Sequence, residues 1–202
     1  MKIALIGVTG RVGSRLATEL LSRGHAVTGI VLHVSTETRA GLPVLQADAT
    51  DKNSLAPRLV GNDAVISASR FVTSDADALV AAVKTAGVKR LLVVGGAGSL
   101  EVAPGKALLD TDGFPEAFKA EAKAGARFLA RLKSEVDLDW TFLSPSADFA
   151  PGARTGHFRL GGDRLLRDAQ GKSHISMEDF AIAMVDEIEQ PAHSRQRFTV
   201  GY

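Results

Sequence analysis

Short apolar runs alternate along this chain with segments whose apolar residues recur every three or four positions. Lys2 to Ile6 is unbroken by any polar residue after its lysine and predicts a buried strand. Val12 to Arg23 carries Val12, Leu16, Leu20 and Leu21 at helical spacing, and Gly24 stands where a helix-closing glycine belongs. Ala26 to Leu32 reads as a second strand and Pro43 to Gln46 as a shorter third, followed by a helix near Ser54 to Leu59. Asp63 to Ser67 predicts a fourth strand. Thr73 or Ser74 can cap a helix over Asp75 to Ala86, closed by Gly87. Leu91 to Val94 is a fifth strand. Pro115 opens a helix to about Leu132, with Phe118, Ala122, Gly125, Leu129 and Leu132 on one face. Trp140 to Leu143 is a sixth strand, ending at Ser144-Pro-Ser146. Ser176 caps a last helix to about Glu189, and Arg197 to Val200 is a final strand.

Strand–helix units repeated in this way imply parallel strands joined by right-handed crossovers. Strands with no polar face imply a sheet covered on both sides. The predicted fold class is therefore α/β, a doubly wound, mostly parallel sheet, with residues 1–202 forming one domain. One region breaks the alternation. Between 149 and 173 glycine is frequent and no helical period appears. His157 to Leu160 and Arg164 to Arg167 flank Gly161-Gly162-Asp163 and read as a small hairpin insertion near the C-terminus. It follows the sixth strand on the ligand side, which makes it a substrate lid or, alternatively, a cover for the sheet edge.

The first strand runs straight into Gly7-Val-Thr-Gly-Arg-Val-Gly13. A bare glycine triplet is weak evidence, but strand, glycine turn and helix together are the context of a dinucleotide site. Gly7 allows the tight turn, Gly10 lets a pyrophosphate approach the backbone, and Gly13 lets the helix pack close to the strand. The N–H groups of the helix N-terminus, Val12 included, then face the phosphates, aided by the helix dipole. Thr9 adds a hydroxyl donor and Arg11 a cation at the rim.

Composition narrows the classes. The chain has no cysteine, which excludes disulfides, thiolate metal sites and cysteine nucleophiles. A net charge of +1 without long runs of one sign argues against nucleic acid as a partner. No apolar run approaches a membrane span. The first strand leaves no room for a signal peptide, and a cytoplasmic protein is expected. The five histidines are scattered with no metal-ligand spacing, so no metal is predicted. No apolar stripe assigns an oligomeric state.

Several motifs together carry a family resemblance. Gly7 to Gly13, Val93-Val-Gly-Gly-Ala-Gly-Ser-Leu100, Asp139-Trp-Thr-Phe-Leu-Ser-Pro-Ser146 and Thr155-Gly-His-Phe-Arg-Leu-Gly161 resemble the NADH–flavin reductases. So do Ile175-Ser-Met-Glu-Asp-Phe-Ala-Ile-Ala183 and Arg195-Gln-Arg-Phe-Thr-Val-Gly-Tyr202. These are atypical short-chain dehydrogenases with an NAD(P)-binding, NmrA-like Rossmann fold, and biliverdin reductase B is a more distant relative. The resemblance covers essentially the whole chain. It implies hydride transfer from NAD(P)H to a flavin (FMN or FAD), and the expected function is an NAD(P)H-dependent oxidoreductase with a small-molecule electron acceptor of flavin or quinone type. The alternative is a non-enzymatic NAD(P)-binding redox sensor, as some NmrA-like proteins are. The resemblance also implies that Asp48 and Ala49 lie by the adenine. Ser67, Ala68, Gly95 and Gly96 would then line the ribose and nicotinamide side.

NAD-specific sites place an acid at the end of the second strand. Here that stretch is Val31-Leu32-His33, with no acid. His33 and Arg11, with Arg39 farther off, are the cation candidates for a 2′-phosphate, and the sequence leans to NADP over NAD. The Tyr-x-x-x-Lys pair of ordinary short-chain dehydrogenases is absent, since Lys119 stands four residues before Lys123. A flavin acceptor relaxes that requirement, because its proton can come from water. The catalytic residue is thus unassigned. Ser99, Ser146 and His157 are the candidates to substitute first, each with a structural reading open beside it.

Overall fold

The computed structural model describes residues 1–34 and 41–202. Its centre is an eight-stranded sheet. In chain order the first half gives β1 (Lys2–Ile6), α1 (Arg11–Ser22), β2 (Ala26–Val31), β3 (Val44–Gln46), α2 (Lys52–Leu59), β4 (Ala64–Ser67), α3 (Ala76–Thr85) and β5 (Arg90–Val94). Two short strands follow, β6 (Glu101–Ala103) and β7 (Lys106–Ala107), then α4 (Glu116–Lys133) and β8 (Asp139–Pro145). The remainder is β9 (Asp148–Ala150), β10 (Arg159–Gly161), β11 (His174–Ser176), α5 (Met177–Glu189) and β12 (Gln196–Gly201). The sheet order is β10-β12-β8-β5-β4-β1-β2-β3, and every pairing is parallel except that of β10 with β12. The chain winds outward from β1 through β2 to β3, then returns past β1 to β4. That reversal is the switch point at which open α/β sheets bind ligands.

The central strands β1, β4, β5 and β8 bury both faces, as their nearly unbroken apolar sequences predict, whereas the edge strands β3 and β10 are largely exposed. In β1, Ile3 and Leu5 join a core with Leu16 and Leu20 of α1 and Phe180 and Met184 of α5. Ala4 and Ile6, one register position on, face a second core with Leu55, Val83 and Phe128 from α2, α3 and α4. Two helices thus cover one face and three the other.

Three details differ from the sequence expectation. The cap of α3 is Asp75, whose carboxylate accepts from the N–H groups of Asp77 and Ala78; Thr73 and Ser74 lie outside the helix. Phe118 is 63% exposed rather than part of the buried face of α4, which is Gly125, Phe128, Leu129 and Leu132. The segment 149–173 does not fold into a hairpin. Leu160 of β10 is in register with Val200 of β12, whose edge was otherwise unpaired. The chain around Arg164 runs beside Glu101 instead, with Glu101 N–H donating to Asp163 and Leu165 N–H donating to Glu101 (both 2.9 Å). Backbone donors pair with whichever edge is open, and here two other edges were.

The segment is tied down by Asp179, fully buried in the first turn of α5. Its carboxylate accepts from the N–H groups of Thr155 (2.8 Å) and Gly156 (2.9 Å) and from the hydroxyl of Tyr202 (2.7 Å). Burial pushes this carboxyl up, but the Thr155 hydroxyl and the surrounding donors outweigh it and hold the group below its ordinary value.

Candidate functional site

The glycine turn is built by close approach. Gly7 adopts φ +78°, and a Cβ there would stand 2.9 Å from the Ala68 carbonyl oxygen. A Cβ on Gly13 would stand only 2.1 Å from the Gly7 oxygen. These two contacts press α1 and the loop after β4 against the end of β1. Gly10 is the N-cap of α1 and has no side chain to cap with. The first intrahelical bond runs from Ser14 N–H to the Gly10 carbonyl (2.9 Å). The N–H groups of Arg11, Val12 and Gly13 therefore have no helical carbonyl to meet, and the first turn holds no acid. Thr9 and Arg11 are exposed beside them, while Val12 is half-buried. Such a helix terminus, with no side chain capping it, fits a diphosphate.

The other residues of the predicted track lie along the same carboxyl edge. His33 is exposed in the bend after β2. Asp48, after β3, accepts from the N–H (2.8 Å) and hydroxyl (2.7 Å) of Thr50. The hydroxyl first, then the N–H, holds the Asp48 carboxyl below its ordinary value. Ala49 beside it is half-buried. Ser67 is buried at the end of β4, and Ala68 N–H donates to Ile6 (2.9 Å). Gly95 N–H donates to Leu143 (2.8 Å), and a Cβ on Gly95 would fall 2.4 Å from the Phe142 ring. Strand order β5-β4-β1-β2-β3 sets these groups in one row: Gly95, then Ser67 and Ala68, then the glycine turn, then His33, then Asp48. Arg39 lies outside the described residues.

At the Gly95 end, the row opens into a cavity of about 920 Å³. Its walls are the loop after β5, including Gly96, the first half of α4, and residues 171–174. Phe71, Phe114 and Phe118 give it aromatic surface. Phe71 is held in place from two sides. Its N–H donates to Glu121 of α4 (2.6 Å), and Gly125 leaves room for its ring, since a Cβ there would lie 2.9 Å away. The sequence reading of the turn after β4 covers Ala68 beside the cofactor and Thr73 or Ser74 as a helix cap, and misses this contact of Phe71 with a glutamate fifty residues on.

The three candidates for chemistry separate. Ser99 lines the cavity, but its oxygens accept from Arg197 (3.0 Å to each), which also pairs with Asp163. Ser146 is fully buried, outside the cavity wall, and donates to the Val200 carbonyl (3.0 Å). His157 is exposed and also off the wall. The histidine that does line the cavity is His174, which the sequence counted only among scattered histidines. Lys119 pairs with Glu116 one helical turn away (2.7 Å).

Comparison with known families decides what the fold can hold. Residues 7–191 match the family model described as NAD(P)H-binding. The chain belongs to that NAD(P)H-binding family. Similar solved structures cover the whole chain. One, from Burkholderia pseudomallei, is 50% identical with a TM-score of 0.91 over 100% of both chains, and its name proposes an exported protein. Another, from Bacteroides thetaiotaomicron, is 44% identical with a TM-score of 0.93 over 100% of this chain and 96% of its own, and its name proposes an epimerase. A third, from Streptococcus pneumoniae, is 35% identical with a TM-score of 0.87 over 100% of this chain and 99% of its own. Its name proposes an NADH–flavin reductase, the group whose motifs the sequence resembles. Among the described residues, no helix is long and apolar enough to cross a membrane.

Proposed function

We propose that this protein is an NAD(P)H-dependent oxidoreductase that passes hydride to a flavin or quinone-like acceptor. The observation that carries the reading is the junction at Gly95 and Gly96, where the row of glycine-turn and strand-end groups meets an aromatic-lined cavity. The free N–H groups of Arg11, Val12 and Gly13 would hold the diphosphate. Ser67, Ala68, Gly95 and Gly96 would line the nicotinamide side, with Asp48 and Ala49 toward the adenine. Bound NAD(P)H supplies the hydride. The chain's own part is to hold a planar acceptor beside it and to keep water out. The Bacteroides relative's name would favour an epimerase, but the Tyr-x-x-x-Lys pair expected of that chemistry is missing here.

The lack of an acid in the Val31-Leu32-His33 stretch at the end of β2, with the exposed cations Arg11 and His33, supports NADPH over NADH. The cysteine-free composition supports a cytoplasmic location, although the Burkholderia relative's name proposes export. The test is to mix the protein with NADPH or NADH and either FMN or a quinone, and to follow loss of the reduced-nicotinamide absorbance. Turnover with at least one acceptor is expected. Tight cofactor binding with no turnover would replace this reading with that of a redox sensor.

A further inference from the structure

His174 is the one histidine on the cavity wall, and its surroundings are specific. It begins β11 in register with Asp148 of β9. Its Nδ1 is buried without a hydrogen bond and faces Asp168 Oδ2 at 3.7 Å. The side chain as a whole is nonetheless 40% exposed. The accessible part of the imidazole is therefore the opposite edge, which carries Nε2. Asp168 is fixed in turn: its Oδ1 accepts from the N–H groups of Gln170 (2.9 Å) and Lys172 (2.8 Å), leaving Oδ2 for the histidine.

A carboxylate facing Nδ1 favours a proton on that nitrogen. A protonated ring can then release its second proton from Nε2 into the cavity and keep the one facing Asp168. The other titratable and charged groups around it are suited to different tasks. Glu121 is engaged by Phe71 and Val72 N–H, and Arg167 donates to the Gly171 carbonyl (2.8 Å). Tyr202 packs against the histidine ring at a tilt of 57°, centroids 5.0 Å apart, but donates its hydroxyl to Asp179. Lys172 and Asp148 complete the charged groups on the wall, and lysine and aspartate as residue types do not ordinarily exchange a proton near neutral pH. Histidine is the residue type that exchanges one there.

We propose that His174, oriented by Asp168, delivers a proton to an oxygen of the acceptor, and that the acceptor is a quinone. The inference rests on the reductase reading above. The quinone gains two electrons and one proton as hydride from NAD(P)H, and its second proton from His174 Nε2. It leaves as the hydroquinone, NAD(P)⁺ is the oxidised product, and the imidazole regains its proton from water. A flavin makes no such demand, because reduced flavin leaves as its anion.

The test uses His174→Gln and Asp168→Asn with menadione and FMN as the two acceptors. In the protein without nucleotide, adding menadione should move the imidazole NMR signals of His174 and leave those of His157 in place. With NADPH, His174→Gln should lose about 100-fold in kcat with menadione, and about tenfold less than that with FMN. The decline of wild-type kcat at high pH should vanish in the same variant, and Asp168→Asn should give an intermediate loss. NADPH affinity reports that each variant is folded. Equal losses with both acceptors, no loss with menadione, or unmoved His174 signals would overturn the proposal. Wild-type turnover of FMN but not menadione would overturn it alone, whereas turnover of neither would remove the reductase reading as well.

Discussion

Gly10 and Gly13 stand three residues apart in the same turn, and the structure predicts opposite outcomes for the same substitution. A Cβ on Gly13 lies 2.1 Å from the Gly7 oxygen and 2.9 Å from its carbonyl carbon. Both are backbone atoms, so the start of α1 must move by roughly 1 Å or more to restore ordinary contact. Overpacking of this kind costs ~1–3 kcal/mol. For a chain of this size that is about 2–12 °C in Tm, at ~2–4 °C per kcal/mol. A Cβ on Gly10 meets only the Gly7 oxygen, at 3.2 Å, and Gly10 already holds φ −71°, which any residue adopts. Gly10→Ala should therefore melt close to the wild type. Its methyl nevertheless stands on the open approach to the free N–H groups, where a diphosphate would lie, and NADPH should bind about tenfold more weakly or worse, a loss of ~1.4 kcal/mol. Thermal melts and calorimetric titration with NADPH give both quantities for both variants. Wild-type affinity in a well-folded Gly10→Ala protein would refute the assignment of this turn as the diphosphate cradle. A wild-type Tm for Gly13→Ala would refute the packing argument.

The remaining expectations are independent of that pair. Calorimetry should give a tighter dissociation constant for NADPH than for NADH, and Arg11→Ala should narrow the gap; tenfold tighter NADH binding would sink the preference. Ser146→Ala should cost about 1 kcal/mol, the worth of its bond to Val200, and retain turnover. His157→Ala should leave both stability and turnover unchanged, and a large loss of activity in either variant would restore it as a catalytic candidate. The Asp179 carboxyl is held low in the folded state, so its contribution is complete above the unfolded carboxylate pKa of about 4 and is lost as pH falls through the lowered folded value. Tm should hold steady down to that range and then drop, and Asp179→Asn should show a shallower acid limb; an unchanged limb would show that other groups govern acid unfolding.

The order of strands and helices was readable because each element obeys a single local period. Ile3 to Ile6 and Leu91 to Val94 are apolar throughout, and their places in the sheet follow from right-handed crossovers. The glycine turn was readable for the same reason: its geometry depends on a strand, a turn and a helix contiguous in sequence. The cavity was not. Phe71 reaches its place through Glu121, and Ser99 is claimed by Arg197, a residue 98 positions away. His174 meets the cavity because β11 pairs with β9 rather than joining the main sheet. The hairpin expected at 157–167 failed on similar grounds, because β12 and Glu101 offered open edges that no local pattern announces. Contacts between distant segments decide which polar groups are consumed by the fold and which remain for chemistry.

Strand spacing limits where chemistry can occur. Neighbouring strands lie about 4.8 Å apart, so the step from the end of β1 to the end of β5, across β4, is roughly 10 Å. A nicotinamide riboside attached to a diphosphate at the glycine turn can span that step and present its ring at Gly95 and Gly96. The end of β8 is one strand farther, and there Ser146 is already committed to Val200. On the proposed reading, an acceptor would sit over the loop after β5, between the aromatic side chains of Phe71 and Phe114 and the segment that carries His174. The Cβ of any residue at Gly95 would press on Phe142 and the Leu143 carbonyl and push that loop outward into the junction. On the proposed reading, the second glycine pair, Gly95 and Gly96, would do for the reacting end of the site what Gly7 and Gly13 would do for the anchoring end: keep side chains away from the point where two ligands would touch.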